Sequence, residues 1–264
     1  MSTHLATLIY FSPTGTTRRV LEAIASSLEP STLARIDLTP PDALPDGVTV
    51  SEGIALIGVP VYAGRVPAIA VERLRRVRGD RIPVVLVVVY GNRAYDDALL
   101  ELGDMVAGAG FLPVAGGAFI GEHSFSTEAL PIAPGRPDAD DLRRAGDFGR
   151  SVRLKLQSLA GIEAPAPPYL PGHYPYRDRW TPSGDTPISD ESCSLCGACV
   201  SVCPTAALEV GDAAHTDAGA CILCCACVRA CPVGARRVES ERIGGILRWL
   251  HEDYAAHREP EVYL

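Results

Sequence analysis

The stretch Cys193-Ser194-Leu195-Cys196-Gly197-Ala198-Cys199-Val200-Ser201-Val202-Cys203-Pro204 has the pattern C-x2-C-x2-C-x3-C-P. It recurs 28 positions later as Cys221-x2-Cys224-x2-Cys227-x3-Cys231-Pro232. The flanks repeat as well: Pro204 matches Pro232, Ala207 matches Ala235 and Val210 matches Val238. Three thiolates at steps of three residues fit a tight loop wrapped around one cubane cluster, and a fourth ahead of a proline is carried away toward another cluster. Structural zinc prefers two separated pairs of ligands. A disulfide scaffold needs an oxidising compartment, and an odd total of nine cysteines argues against it. The ninth, Cys225, lies between two ligands of the second run and reads as a small packed residue.

The paired runs resemble the bacterial-type ferredoxins that carry two 4Fe–4S clusters. That resemblance implies a small α+β domain over residues 187–240, with its two halves packed about a pseudo-twofold axis. It also implies crossed ligand sets. One cluster takes Cys193, Cys196, Cys199 and Cys231; the other takes Cys221, Cys224, Cys227 and Cys203.

At 264 residues the chain has room for two domains, and 47% hydrophobic content supports a sizeable core. No apolar stretch reaches membrane-spanning length; Ile82 to Tyr90 is strand-sized. Net charge is −8 with a pI near 5.3, which disfavours nucleic acid as a partner and permits docking to basic faces of redox-partner proteins. Met1 to Tyr10 lacks the basic start and apolar stretch of a secretion signal, so a soluble cytoplasmic protein is expected.

From Leu5 to about residue 160, apolar runs alternate with amphipathic patterns, the mark of a parallel sheet covered on both faces. Strands are expected at Leu5–Phe11, Leu33–Leu38, Ile54–Val61, Val84–Tyr90 and Phe111–Ile120. Helices are expected at Thr16–Leu28, Pro67–Val77, Tyr95–Ala109 and Asp138–Leu159. Five strands with interleaved helices make a doubly wound α/β sheet over residues 1–160. Residues 161–186 contain Ala164-Pro165-Ala166-Pro167-Pro168-Tyr169-Leu170-Pro171, a proline density that reads as a semi-rigid linker. Within 241–264, Ile243 to His257 reads as a helix with Ile243, Ile246, Leu247, Leu250 and Tyr254 on one stripe. That stripe suits packing onto a domain; the alternative is a partner-binding role for the helix, Trp249 included.

The first strand runs through Ser12-Pro13-Thr14-Gly15-Thr16-Thr17 straight into a helix. Backbone N–H groups and hydroxyls there converge on an anion at the helix N-terminus. The loop has no lysine and only one glycine, so it is neither a Walker loop nor a dinucleotide fingerprint. A phosphate monoester bound without metal fits best. Two further loops, Val59 to Pro67 and Tyr90 to Tyr95, follow the third and fourth strands on the same edge, where open α/β sheets bind ligands.

With these loops the N-terminal part resembles flavodoxin, and the whole resembles the bacterial flavodoxin–ferredoxin fusion proteins. The resemblance implies FMN, its phosphate held by Ser12, Thr14, Gly15, Thr16 and Thr17. Tyr62, Ala63, Gly64 and Arg65 in one loop, and Tyr90, Gly91, Asn92 and Tyr95 in the other, would flank the flavin ring. Gly64 would permit a peptide flip, Asn92 would offer an amide to the pyrimidine edge, and Tyr62, Tyr90 or Tyr95 would stack. Arg65 near that edge would raise the flavin potential. His123, in the loop after the fifth strand, touches the flavin, relays a proton near neutral pH, or is a loop residue hydrogen-bonded to backbone. The basic run Arg73, Arg75, Arg76, Arg78 and Arg81 reads as a solvated helix end or a dock for an acidic carrier.

The leading reading is an electron-transfer protein linking two 4Fe–4S clusters and FMN to cellular redox partners. Two alternatives stand beside it. One is an FMN-dependent reductase of a small molecule fed by its own clusters; the other is a flavin-free docking domain attached to a ferredoxin.

Overall fold

The computed structural model describes residues 4–159, 165–181 and 184–264. Its N-terminal part runs β1 (Leu5–Tyr10), α1 (Thr16–Leu28), β2 (Thr32–Asp37), β3 (Val48–Val50), β4 (Ile54–Pro60), α2 (Ala68–Leu74), β5 (Val77–Gly79), β6 (Pro83–Tyr90), α3 (Ala98–Gly108), β7 (Leu112–Ile120) and α4 (Ala139–Ser158). The main sheet contains the parallel strands in the order β2-β1-β4-β6-β7. Counting those strands alone, the order is 2-1-3-4-5, the doubly wound topology of flavodoxin. Each side chain of β6 is buried, as a central strand with helices on both faces requires.

One face of the sheet packs against α1 and α4, the other against α2 and α3. α1 buries Val20, Leu21, Ile24 and Leu28, the stripe its sequence spacing predicts. α4 starts at a reciprocal cap in which the Asp138 and Asp141 carboxylates each accept the other's backbone N–H. Gly149 lets α4 approach α1 backbone to backbone, since a β-carbon there would lie 2.3 Å from the Ile24 carbonyl oxygen.

Three of the expected helices are shorter than their patterns. The one expected over Ile243–His257 ends at Asp253, and Glu261–Tyr263 beyond it is a strand, so residues 241–264 are not helical throughout. The one expected over Pro67–Val77 ends at Leu74, because Val77 enters β5 and pairs in parallel with β3. The one expected from Tyr95 begins at Ala98, because Asp96 adopts a left-handed backbone (φ 42°).

The remainder of the chain continues with β8 (Pro187–Ser189), α5 (Ala198–Ser201), β9 (Leu208–Val210), β10 (Ala214–Thr216), α6 (Ala226–Arg229), β11 (Arg236–Val238), α7 (Glu241–Asp253) and β12 (Glu261–Tyr263). Antiparallel pairs β8–β11 and β9–β10 flank the two short helices. The repeat is visible in the backbone. Left-handed residues recur at Leu195 and Leu223 (φ 55° and 52°), at Gly197 and Cys225 (75° and 58°), and at Ala206 and Gly234 (52° and 67°). Cys225 therefore occupies the helix-capping position that glycine holds in the first repeat.

Two segments return to the N-terminal domain. β12 joins the main sheet as a sixth strand, antiparallel to β7. Residues 165–181 run along α3: Leu170 packs on its core face, and the Asp97 carboxylate accepts the N–H groups of His173 (2.9 Å) and Arg177 (2.7 Å). Of the expected linker 161–186, residues 161–164 and 182–183 lie outside the described residues.

Candidate functional site: a phosphate-type loop facing a cysteine loop

The Ser12–Thr17 loop turns tightly out of β1, with the Gly15 N–H donating to the Ser12 carbonyl at 3.0 Å. Ser12 Oγ accepts the Arg18 N–H at 3.1 Å, and the Ser12 N–H donates to Thr39 Oγ1 at 2.9 Å. Gly15 caps α1 in a left-handed conformation and has no side chain to bond it, Ser12 Oγ takes the Arg18 N–H of the first turn, and that turn carries no acid. The hydroxyls of Thr14 and Thr16 lie 3.4 Å apart. Thr17 Oγ1 is buried without a hydrogen-bond partner. Leaving such a hydroxyl unpaired costs about 1–3 kcal/mol. An oxyanion seated over this turn would accept from these hydroxyls and from the free end of the helix, so the loop fits a phosphate group.

Loops after β1, β4, β6 and β7 open together at the C-terminal edge of the sheet and line one cavity of about 310 Å³. Of the ring-flanking residues expected from sequence, Tyr62, Ala63, Gly64, Tyr90 and Gly91 reach its wall, and His123 joins them. Tyr62 and Arg65 exchange backbone hydrogen bonds of 3.0 and 3.1 Å across Ala63 and Gly64, both at positive φ (48° and 83°). The Gly64 carbonyl also accepts the Asp97 N–H at 3.1 Å. The peptide between Gly64 and Arg65 is thus pinned on both sides, and flipping it breaks two hydrogen bonds.

Three expected ring contacts point elsewhere. Arg65 turns away from the cavity: Nε and Nη2 grip the buried Glu101 carboxylate at 2.8 and 2.9 Å, and its guanidinium lies 4.7 Å over the Tyr176 ring. A buried carboxylate demands a counter-charge, so the expected effect of Arg65 on a flavin loses its basis; the cations on the cavity wall are Arg93 and Arg177, both paired with Asp96. The Asn92 amide nitrogen donates to the carbonyls of Tyr254 (2.5 Å) and Ala256 (2.9 Å), anchoring the tail after α7. Tyr95 is buried behind Tyr90, its hydroxyl bonded to Glu261 (2.8 Å) and Tyr263 (2.7 Å) of β12.

His123 Nδ1 accepts the Phe125 N–H at 3.1 Å, which places the ring proton on Nε2. Burial, together with the neighbouring Arg229 and Arg93, holds this imidazole down at about 4, so it is neutral near pH 7. Burial raises the Tyr62 phenol, and the adjacent thiols of Cys224, Cys225 and Cys221 raise it further, so it stays protonated against the second cysteine run.

The cavity has a wall that sequence reasoning missed. Ile222 and Leu223 of the second cysteine run, Trp180, and Ile246, Trp249 and Leu250 of α7 close it from outside the sheet domain. Polar contacts hold this wall in place. Arg73, buried rather than solvated, donates to the carbonyls of Leu38 and Thr39 (both 2.7 Å) and to that of Pro204 (2.5 Å), next to Cys203. Arg229 donates to the His123 carbonyl at 3.1 Å, and His251 meets the Pro131 carbonyl at 2.9 Å.

The cysteines gather in the crossed sets. Cys193, Cys196, Cys199 and Cys231 line one small cavity, together with Arg236. Cys203 lies within electrostatic reach of Cys221, Cys224 and Cys227. Burial pushes the Cys224 thiol up to about 12, with Cys227, Cys203 and Cys221 adding to it against the Ala226 N–H. Among the described residues no three His, Cys, Asp or Glu side chains close on a single ion. A cubane, by contrast, spreads its ligands around four irons. Cys225 contributes to neither set; its thiol is buried and faces the Leu223 carbonyl at 3.6 Å.

The 4Fe-4S binding domain family matches the chain twice, over residues 186–209 and 214–237. No curated protein matches it. Among solved structures it is similar to an archaeal flavodoxin (15% identity, 58% of this chain and 99% of that one, TM-score 0.36). It is also similar to flavodoxin 1 from Bacillus cereus (14%, 57% and 97%, TM-score 0.39) and to the flavodiiron protein from Giardia intestinalis (15%, 62% and 39%, TM-score 0.38). The strand order of the main sheet establishes the N-terminal fold independently of these likenesses. By fold and site the chain is an iron–sulfur protein in which a flavodoxin-like α/β domain is fused to a 4Fe–4S ferredoxin module. Its general role is redox, and none of its described helices is long and apolar enough to cross a membrane.

Proposed function

We propose that this protein is an electron carrier that passes single electrons between two 4Fe–4S clusters and an FMN seated in the cavity at the sheet edge. The observation that carries this reading is the shared wall: the loop holding Cys221 and Cys224 and the phosphate-type loop Ser12–Thr17 face the same cavity. An FMN there would exchange one or two electrons while each cluster exchanges one, which lets the protein join the two regimes. The chain's own residues hold and shield. Thr14, Thr16, Thr17 and the α1 N-terminus would take the phosphate, and Tyr62, Tyr90 and neutral His123 would bound the ring. Trp249 and Leu250 would exclude water on the outer side.

The two cysteine sets differ in exposure, and that difference supports an order of transfer. Cys224 is buried beside Tyr62 of the sheet domain, whereas its repeat counterpart Cys196 is exposed within an apolar rim of Leu195 (42% exposed), Val200 (38%) and Val233 (52%). The set containing Cys196 is the port for an external redox protein, and the set containing Cys224 is the inner station beside the flavin.

The test is anaerobic preparation with iron, sulfide and flavin quantified on one sample, followed by rapid mixing with a one-electron reductant. The expected result is about eight irons per chain, one bound FMN, and flavin bleaching that follows cluster bleaching. Clusters that reduce while bound flavin stays oxidised would overturn the carrier reading. Steady turnover of a small-molecule acceptor by the loaded protein would favour a reductase instead.

A further inference from the structure

Arg236 begins β11 and is 3% exposed, an unusual setting for a guanidinium. Its hydrogen bonds end on uncharged oxygens: Ser189 Oγ (2.9 Å), the Pro187 carbonyl (2.8 Å) and Thr216 Oγ1 (2.8 Å). Its Nε is buried with no partner. A buried cation without a counter-ion is costly, and a buried donor without an acceptor adds to the cost. Both deficits are resolved by what lies on either side. Arg236 forms part of the cavity lined by Cys193, Cys196, Cys199 and Cys231. It also lies within hydrogen-bonding reach of the Cys227 thiol of the other set, where its charge opposes the effect of burial.

The internal repeat shows that this cation is no requirement of the fold. Twenty-eight positions earlier, the first repeat carries Leu208, buried to a similar degree (6% exposed). A leucine therefore fills the equivalent corner of the module, and only the second repeat has a guanidinium there. The neighbouring Arg237 is different: it is partly exposed and pairs with Asp190 and Glu239 at the surface.

We propose that Arg236 is a positioning residue set between the two clusters, its charge and its unpartnered Nε–H directed at their thiolate and sulfide sulfurs, where it favours their reduced forms. The inference rests on the reading that the cysteine runs hold 4Fe–4S clusters. Adding an electron to a cluster deepens its negative charge, and a fixed cation in a dry site lowers the free energy of that state. Hydrogen bonds to cluster sulfurs act in the same direction.

The test uses the full chain carrying its clusters, in wild-type form and as Arg236→Gln, Arg236→Lys and Arg237→Gln. Iron and sulfide are quantified, and each chain is titrated potentiometrically under anaerobic conditions with electron paramagnetic resonance as the readout. In Arg236→Gln the reduction constant of the clusters is expected to fall about tenfold, which is about 59 mV for a one-electron couple. Arg236→Lys keeps the charge, but a single ammonium cannot serve three oxygens and a sulfur together, so it is expected to fall about threefold. Arg237→Gln is expected to leave the midpoints where they are. An Arg236→Gln protein with full iron and sulfide and wild-type midpoints would overturn the proposal. If that variant does not load clusters, Arg236→Lys decides: lowered midpoints support the role and unshifted ones refute it. Failure of the underlying cluster reading would show separately, as missing iron in the wild type.

Discussion

Thr17→Val tests the phosphate loop, because the structure gives its two effects opposite signs. Thr17 Oγ1 is buried and has no partner in the flavin-free chain. Valine has nearly the same shape and removes the hydroxyl together with its desolvation penalty. The flavin-free protein should therefore gain up to about 1 kcal/mol, a rise in Tm of about 2–4 °C for a chain of this size. FMN should lose one hydrogen bond to a charged acceptor, worth about 1.5–3 kcal/mol. At about 1.4 kcal/mol per tenfold, its Kd should rise about 10- to 150-fold. The assay is calorimetric titration of flavin-depleted wild-type and Thr17→Val chains with FMN, and in parallel with riboflavin, which has the same ring and no phosphate. Riboflavin affinity should be the same in both chains. A Thr17→Val chain that melts lower and binds FMN as tightly as wild type would show that the hydroxyl serves the fold, and the phosphate reading of the loop would fall with it.

Arg73→Met removes the donor that ties the Pro204 carbonyl to the loop after β2, together with the guanidinium that lies 5.7 Å over the Phe11 ring. The expected result is slower electron exchange between clusters and flavin with unchanged cofactor content, read by flash photolysis; an unchanged rate would deny the bridge a role. His123 titrates at about 4 in the folded chain against about 6.5 unfolded, so between those values the unfolded state holds the extra proton. Its contribution is present above pH 6.5 and is lost as the pH falls toward 4. That contribution is on the order of 2 kcal/mol after allowance for partial exposure, and in urea melts across that range His123→Phe should show a flatter pH dependence than wild type. Cluster removal should unfold the module over residues 186–238 and leave the sheet domain folded. The module's own apolar cluster is confined to Leu208, Val210, Val228 and cysteines, so most of its cohesion must come through the metal. Circular dichroism that loses only the module's share of signal on chelation is the expected record, and loss of the whole sheet signal would contradict it.

How far the site was legible from sequence depended on whether a residue's role is local. The cysteine runs, the hydroxyl-rich turn after β1 and the limits of α1 all follow from spacing within a dozen residues, and the structure places them as that spacing implies. Arg65 and Asn92 sit in the expected loop, yet their partners come from Glu101 and from the tail at Tyr254 and Ala256. Nothing near either residue in sequence announces those partners. Arg73 looked like one member of a solvated basic run, but its partners include Pro204, over a hundred positions away. β12 has only three residues and no periodicity of its own; the open edge of β7 makes it a strand. Leu195 and Leu223 are equivalent in the repeat, and only the tertiary structure distinguishes them, the first 42% exposed and the second 4%.

That broken equivalence bears directly on direction. A symmetric two-cluster module offers no reason for an electron to leave by one side rather than the other, since its halves present the same surfaces and the same charges. In this chain the symmetry fails at three matched places. Leu223 is covered by the sheet domain and Leu195 is not. Cys225 is buried at the inner loop, facing Tyr62, where the outer loop has Gly197. Arg236 stands where the first repeat has Leu208. The first two differences are what support the proposed interior station and outer port. The third lies beside both sets and, as proposed, would favour an electron on either of them. Exposure explains which side a partner can approach; Arg236, reaching both cysteine sets, would raise the potential of the module as a whole and leave the direction to that difference in exposure.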